Sequence, residues 1–129
     1  MKALDETTTV PSDARAVMHA RRFTSRLCAR AGVDGDLCDN AVLLTSEVVT
    51  NAVIHGRSEA RLRVVVDAER IRVEVGDDNS RYPVIQTPDE DALDGRGLRL
   101  LDVVATDWGV RDDKIGKTVW FEIRAASTD

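Results

Sequence analysis

Two polar residues, Glu47 and Asn51, stand one helical turn apart at the border of an apolar stripe. The apolar residues recur at spacings of three and four, as on the buried side of a helix: Leu37, Ala41, Leu44, Val48 and Ala52. A carboxylate at such a border can orient or deprotonate a nucleophile. An amide oxygen beside it can complete the octahedral shell of Mg²⁺ next to substrate phosphates. The alternative is an ordinary, half-exposed pair on a helix edge.

Three further segments place polar residues or glycines at the ends of predicted elements. Asp77 follows an alternating strand, where its carboxylate can accept a hydrogen bond from an exocyclic amine; a polar turn is the alternative. Asp94-Gly95-Arg96-Gly97-Leu98 precedes a helix, so its backbone amides can approach an anion, or it forms a flexible loop. Gly116-Lys117-Thr118 opens the last strand, where a hairpin turn is the alternative.

The elements that must position these residues follow the order helix, helix, strand, strand, loop, helix, strand, strand. Helices are predicted over 14–31, from Asp36 to about His55, and from Gly97 to about Thr106. Segments rich in β-branched residues predict strands over 61–66, 71–75, 108–111 and 118–124. Because consecutive strands favour antiparallel pairing, we predict an α+β fold: a two-layer α/β sandwich, with a mostly antiparallel sheet and helices on one face.

Length and charge limit the class of protein. The 129 residues fit one domain, and 43% of them are hydrophobic. With 18 basic against 23 acidic residues and 4% aromatics, the composition argues against phosphate-tracking or base-stacking binding of nucleic acid. No apolar run approaches the roughly 20 residues of a membrane span. Two cysteines do not make a disulfide framework. We therefore expect a cytoplasmic protein that binds neither nucleic acid nor membrane.

Taken in order, these segments resemble the ATP-binding domain of the GHKL superfamily, the histidine-kinase-like ATPases. LLTSEVVTNAVIHG is similar to the N-box of that superfamily, and IRVEVGDDNS stands in the place of its first glycine box. DGRGLRLLDVVATDWGV resembles the second glycine box with its following helix, and GKTVWFEI resembles the closing segment. More narrowly, the pattern resembles the small single-domain anti-sigma-factor serine kinases of the actinobacterial type. The resemblance runs from about Ser12 to Arg124.

The resemblance implies a Bergerat-type ATP-binding fold with ATP and Mg²⁺ as cofactors. By that resemblance Glu47 would be the general base, Asn51 the Mg²⁺ ligand and Asp77 the acceptor of the adenine amine. Further nucleotide contacts are implied for Asn51, Asn79, Gly95, Arg96, Gly97, Leu98 and Thr118, the last acting through water and the Asp77 carboxylate. The implied domain limits are a flexible segment or short strand over 1–11, the ATPase domain over 12–125 and a tail over 126–129.

The function that the resemblance implies is an ATP-binding regulatory switch. Such a protein is an anti-sigma factor with serine/threonine-protein kinase activity toward an anti-sigma-factor antagonist; it binds a sigma factor and forms a homodimer. Asp77 is followed by Asp78-Asn79-Ser80, without the glycines usual in the first glycine box. This departure leaves an alternative, a catalytically inactive regulator that binds nucleotide or protein. The first helix offers either a solvated face or a basic surface for an acidic protein partner: Arg15, Arg21, Arg22, Arg26 and Arg30.

Overall fold

One layer of the molecule is an antiparallel sheet. The computed structural model describes residues 3–55, 59–77, 99–113 and 116–125, and of residues 54 and 55 the backbone alone. Over these residues the sheet has five strands: β1 (Leu4–Val10), β2 (Ala60–Val66), β3 (Arg70–Asp77), β4 (Asp107–Asp112) and β5 (Lys117–Arg124). They lie in the order β1-β2-β3-β5-β4, and each neighbouring pair is antiparallel.

Alternation of side chains decides which face of the sheet is buried. In β3 the residues Ile71, Val73 and Val75 are buried, and β2 buries every second residue from Ala60 to Val66. The register sets Val64 opposite Val73, so the two buried rows meet on one face. Since successive side chains of a strand point to opposite faces, the remaining residues of both strands form a second, more polar face. We call this second face the outer face.

The second layer consists of helices on the apolar face of the sheet. They are α1 (Arg15–Ala31), α2 (Gly35–Thr50), a π-helical turn (Asn51–His55) and α3 (Arg99–Val104). Gly32 ends α1 in the left-handed conformation, with φ 78°, and its N–H donates to the carbonyl of Ala29. The N–H of Val33 donates to the carbonyl of Cys28, which completes the cap before α2 begins.

The second and third helices differ from the prediction. The helix predicted up to His55 is α-helical only to Thr50 and then continues as the π-helical turn. The hydroxyl of Thr50 donates to the carbonyl of Ser46 at 2.7 Å, a bond that competes with the helical backbone and bends helices. The third helix runs over Arg99–Val104, shorter than predicted, and Gly97 lies outside the described residues.

The core lies between the two layers and confirms the α+β prediction. Its largest fully buried side chains come from helices and strands alike: Phe121, Leu27, Leu44, Leu62, Ile71 and Leu101. Helix α1 packs on β1 and β2, and α2 packs on β3 and β5. The fold is therefore a two-layer sandwich with helices on one face of the sheet. In the part of the chain that the structure describes, no helix has both the length and the apolar composition to cross a membrane.

The outer face carries a network of arginines around a nearly buried glutamate. The Glu122 carboxylate, 7% exposed, lies 3.0 Å from Arg124, 3.3 Å from Arg70 and 3.5 Å from Arg72. Burial acts to raise the pKa of Glu122, but the Arg124 hydrogen bond and the Arg70 charge outweigh it and lower that pKa. Arg72 also stacks over the ring of Trp120, 4.4 Å from its centre.

Replacing this glutamate should destabilise the protein in a pH-dependent way. Glu122→Gln should lower the free energy of unfolding by about 1–2 kcal/mol at neutral pH, because three arginines lose their shared counter-charge. The folded-state pKa of Glu122 is lowered, so its stabilisation is present above the unfolded-state pKa and is lost as the pH falls through the folded-state pKa. Wild type and variant should therefore converge in acid, as measured by urea unfolding at several pH values.

The exposed Glu69 provides a matched control for this charge removal. Glu69→Gln makes the same change of charge and should alter the free energy of unfolding by less than about 0.5 kcal/mol at any pH. Two results would contradict a stabilising role of the ionised Glu122: an equal loss of stability in both variants, or a difference in free energy of unfolding between wild type and Glu122→Gln that persists in acid.

Candidate functional site

Glu47 and Asn51 lie where α2 passes into the π-helical turn. Both are half-buried, whereas the neighbouring Val48 and Val49 are 2% and 0% exposed. The N–H of Asn51 donates to the carbonyl of Glu47, so one turn of helix separates them. The structure thus keeps together, on the border of the core, the two residues that the sequence presented as a pair. Their catalytic and metal-binding roles stay predictions.

The π-helical turn connects this pair to the central strands. It packs against β3, the strand that ends at Asp77. A π-helical turn holds more residues than an α-helical turn, and such turns occur frequently at functional sites. The helix end with Asn51 therefore leads into a turn that lies against the strand carrying Asp77.

Asp77 is the last residue of β3 and is only 4% exposed. It continues the row of Ile71, Val73 and Val75, which places it on the helix-facing side of the sheet. A carboxylate in such surroundings is shielded from water, which strengthens any hydrogen bond that it accepts from an N–H donor. The position suits recognition of an exocyclic amine.

Gly116 approaches Asp77 from the beginning of the neighbouring strand β5. Its φ is 79°, a left-handed conformation that favours glycine. A Cβ at this position would overlap the backbone carbonyl of Asp77 and would lie 2.6 Å from Asp77 Oδ1. Glycine is thus required twice, for its backbone angle and for its lack of a side chain. The Asp77 carboxylate lies against bare backbone as a result.

Thr118 lies on the outer face rather than on the side of Asp77. The register sets it opposite Gly76 and Arg111, and a Cβ on Gly76 would lie 2.9 Å from Thr118 Oγ1. The Thr118 hydroxyl donates to Asp113 Oδ2 at 2.6 Å. This hydrogen bond, followed by that of Arg111, holds the pKa of Asp113 below its usual range. A role of Thr118 in binding adenine stays a prediction.

The sequence presented Gly116 only as part of the segment that opens β5, without its contact to Asp77, and Asp113 was not predicted. The sequence does indicate the face on which Thr118 lies. Val119, Phe121 and Ile123 alternate with it along β5 and pair with the buried row of β3. An even-numbered residue in that strand therefore faces outward. Asp113 precedes β5, and its N–H donates to the carbonyl of Gly116, so it closes the turn that carries Gly116. No local sequence pattern predicts this hydrogen bond between Asp113 and Gly116.

Five of the predicted site residues cannot be placed. Asn79, Gly95, Arg96, Gly97 and Leu98 lie outside the described residues. Helix α3, which follows them in the sequence, is held to the sheet: the indole N–H of Trp108 in β4 donates to Asp102 Oδ1 in α3 at 2.7 Å. Leu101 anchors the same helix in the core with 0% exposure. The element that follows the glycine pair is therefore fixed in place.

A comparison with protein families decides what kind of domain this is. A family model described as the histidine kinase-like ATPase domain matches residues 10–123, from the end of β1 into β5. The chain belongs to this family. The match confirms the GHKL-type resemblance, and histidine kinase-like ATPase domains bind ATP, generally with Mg²⁺. No curated protein matches the chain.

The described residues fit the ligands that a histidine kinase-like ATPase domain implies. Asp77 offers a buried acceptor for an adenine amine, and Gly116 leaves bare backbone beside it. Mg²⁺ with substrate phosphates needs only one or two protein oxygens, and the amide of Asn51 can supply one. Among the residues that the structure describes, no three His, Cys, Asp or Glu side chains cluster as a metal site. In the role that the sequence resemblance implies, Asn51 would hold Mg²⁺ together with phosphates and water.

Asp77→Asn should weaken binding of ATP with Mg²⁺ by about 10- to 30-fold, since a hydrogen bond to a charged acceptor is lost. Titration calorimetry on the folded variant measures the dissociation constant. Thr118→Val is the matched control, since it removes a hydroxyl on the opposite face of the sheet. We expect it to cost about 1 kcal/mol of stability and to change the affinity less than about threefold. A larger loss of ATP affinity in Thr118→Val than in Asp77→Asn would assign the contact with adenine to Thr118.

Proposed function

We propose that the chain is an ATP-binding regulatory switch protein: an anti-sigma factor with serine/threonine-protein kinase activity toward an anti-sigma-factor antagonist. The observation that carries the nucleotide part is Asp77, nearly buried at the end of β3 with Gly116 against it, in a histidine kinase-like ATPase domain. The regulatory part rests on the sequence resemblance to the small anti-sigma-factor kinases. Signal and response would then pass through protein partners, a sigma factor and an antagonist.

The exposed side of α1 supports a protein partner. Arg21, Arg22 and Arg26 are exposed there, and within the described residues they form no ion pair. Met18 is 56% exposed on the same helix, and it lines a shallow depression with Arg21 and Arg22. Unpaired guanidinium groups around an exposed thioether suit an acidic protein surface with an apolar contact. We therefore include an acidic protein partner in the proposal, as well as a homodimer of this chain.

The chemistry that we propose divides between three residues. The Glu47 carboxylate accepts or orients the proton of the substrate serine. The Asn51 amide oxygen would hold Mg²⁺, which would supply positive charge beside the transferred phosphoryl group. Asp77 binds the adenine amine and thereby orients the nucleotide relative to Glu47. The γ-phosphoryl group passes to the serine oxygen, and ADP leaves.

The deciding experiment combines capture of the partner with phosphate transfer. The purified chain is used to capture proteins from a lysate of its host with and without ATP and Mg²⁺, and the captured proteins are then incubated with labelled ATP. We expect heat on titration with ATP and Mg²⁺, and label on a serine of a captured protein. Binding of ATP without any transfer would reject the kinase activity and retain the nucleotide-binding regulator.

One observation favours a second candidate, the catalytically inactive regulator. The residues after Asp77 are Asp78, Asn79 and Ser80, so the first glycine box has no glycine there. Asn tolerates the left-handed conformation that a glycine would supply, but Ser does so rarely. If calorimetry with ATP and Mg²⁺ gives no heat while partner proteins are still captured, this candidate replaces the first. A cytoplasmic location belongs to both proposals and agrees with the two free cysteines.

A further inference from the structure

The only two cysteines of the chain stand on the facing ends of α1 and α2. Cys28 lies one turn before the end of α1, which is Ala31, and Cys38 lies one turn after the start of α2, which is Gly35. The connection over 32–34 is short, so the two helices form an antiparallel hairpin. Positions equally far from the connection meet across such a hairpin, and the two cysteines occupy such positions.

The packing between the helices brings the two thiols together. Helices α1 and α2 pack against each other, and their buried residues beside the cysteines are small: Ala31 and Ala41, 2% and 0% exposed. Small side chains at a helix contact let the backbones approach closely. Cys38 is also the residue whose side chain acts on the pKa of Cys28, as expected of two side chains that face each other at this contact.

The two thiols differ in their access to solvent. Cys28 is 0% exposed, whereas Cys38 is half-buried at the margin of the core. Burial, and then the hydrogen bond and the charge of Cys38, raise the pKa of Cys28 to about 12. Cys28 is thus kept as a thiol and shielded, and Cys38 is the sulfur that a small oxidant reaches.

We propose that Cys28 and Cys38 form a reversible intramolecular disulfide that joins α1 to α2, with hydrogen peroxide as the oxidant. The Cys38 thiolate attacks one oxygen of peroxide, the O–O bond breaks, and Cys38 becomes a sulfenic acid while hydroxide leaves. The Cys28 sulfur then attacks the Cys38 sulfur, and the S–O bond breaks. The released hydroxide takes the Cys28 proton and leaves as water. The two thiols lose two electrons, which reduce peroxide to two water molecules.

The disulfide would fix the helix hairpin that supports the candidate site. Helix α2 continues from Cys38 to Glu47 and into the π-helical turn with Asn51. A disulfide stabilises a protein mainly because it lowers the conformational entropy of the unfolded chain. The loop closed here is short, so we expect the oxidised protein to melt only roughly 5 °C higher than the reduced one. The proposal concerns the thiol pair and holds whether or not the chain is a kinase.

The mass of the intact, folded chain after treatment with hydrogen peroxide tests the proposal. We expect a monomer that has lost about 2 Da, and the original mass after dithiothreitol. Proteolysis without reduction should yield one peptide pair joined through Cys28 and Cys38. In the untreated protein, iodoacetamide should modify Cys38 and leave Cys28 free until the chain is unfolded.

Single variants separate the disulfide from general oxidation. Cys28→Ser should stop at an oxidised Cys38, with a gain of about 16 Da per oxygen on the peptide that carries it. In Cys38→Ser the remaining, buried thiol of Cys28 should stay unoxidised. Neither variant should show the rise in melting temperature. The proposal is overturned if the wild-type chain gains oxygen without losing the two hydrogens, if it joins only to a second copy, or if the linked form melts no higher than the reduced one.

Discussion

Glu47→Gln should lower phosphate transfer to the captured partner protein by about 100-fold or more, the usual contribution of a general base. The substitution preserves the size of the side chain and removes the carboxylate that would take the serine proton. Since Glu47 lies on the border of the core rather than within it, the variant should fold normally. The affinity for ATP with Mg²⁺ should change less than about threefold, because the nucleotide contacts assigned to Asp77 and Asn51 remain.

The matched control for Glu47 is Asp39, an exposed carboxylate on the same helix. Asp39→Asn makes the same change of charge and should leave both transfer and nucleotide binding unchanged. Transfer at the wild-type rate in Glu47→Gln would remove Glu47 from the mechanism. A parallel loss of transfer and nucleotide affinity would assign it to binding instead.

Gly116→Ala should be the most damaging single change to the candidate site. The new methyl group meets two obstacles: a left-handed backbone, with φ 79°, and the Asp77 carbonyl, which occupies the space where the methyl must lie. The strain and the forced displacement together should lower the free energy of unfolding by about 3 kcal/mol. Because Asp77 must move, the affinity for ATP with Mg²⁺ should fall at least about 10-fold in the molecules that remain folded.

A substitution at Gly35 separates the backbone strain from the collision with Asp77. Its φ is 70°, close to that of Gly116, but a Cβ there would have no atom within 4 Å. Gly35→Ala therefore carries the strain without the collision and should cost about 1 kcal/mol, with no effect on nucleotide affinity. Urea unfolding and calorimetry on both variants give the comparison. If the two alanines cost the same, Asp77 does not depend on the absence of a side chain at Gly116.

Much of the fold follows from local patterns. The spacing of Leu44 and Val48 identifies a helix face, and the alternation of Ile71, Val73 and Val75 identifies a strand face. The order of elements then favours an antiparallel sheet with helices on one side, and the structure confirms it. The π-helical turn was not predicted, because the helical spacing of apolar residues does not distinguish a π-helical turn from an α-helical one.

Part of the candidate site could also be predicted from local sequence, and part depends on contacts between distant segments. Glu47 and Asn51 form a pair through spacing within one helix, so their neighbourhood could be predicted from the sequence. The contact of Gly116 with Asp77 joins segments 39 residues apart in the chain, and only strand pairing brings them together. Thr118 shows the opposite case: the motif around it suggested a base contact, while the alternation along β5 placed it on the outer face. Its contact with adenine stays a prediction, whereas its place on the outer face follows from that alternation.

The placement of the two tryptophans gives the protein an optical reporter of its own. Trp120 lies on the outer face under Arg72, and a Cβ on Gly109 would touch its ring at 3.0 Å. Trp108 instead shares its N–H with Asp102 in α3, the helix that follows the glycine pair. In a Trp120→Phe protein, Trp108 is the single remaining indole. Its fluorescence then reports on the hydrogen bond to Asp102, so the emission during a nucleotide titration tells directly whether α3 stays fixed when nucleotide binds.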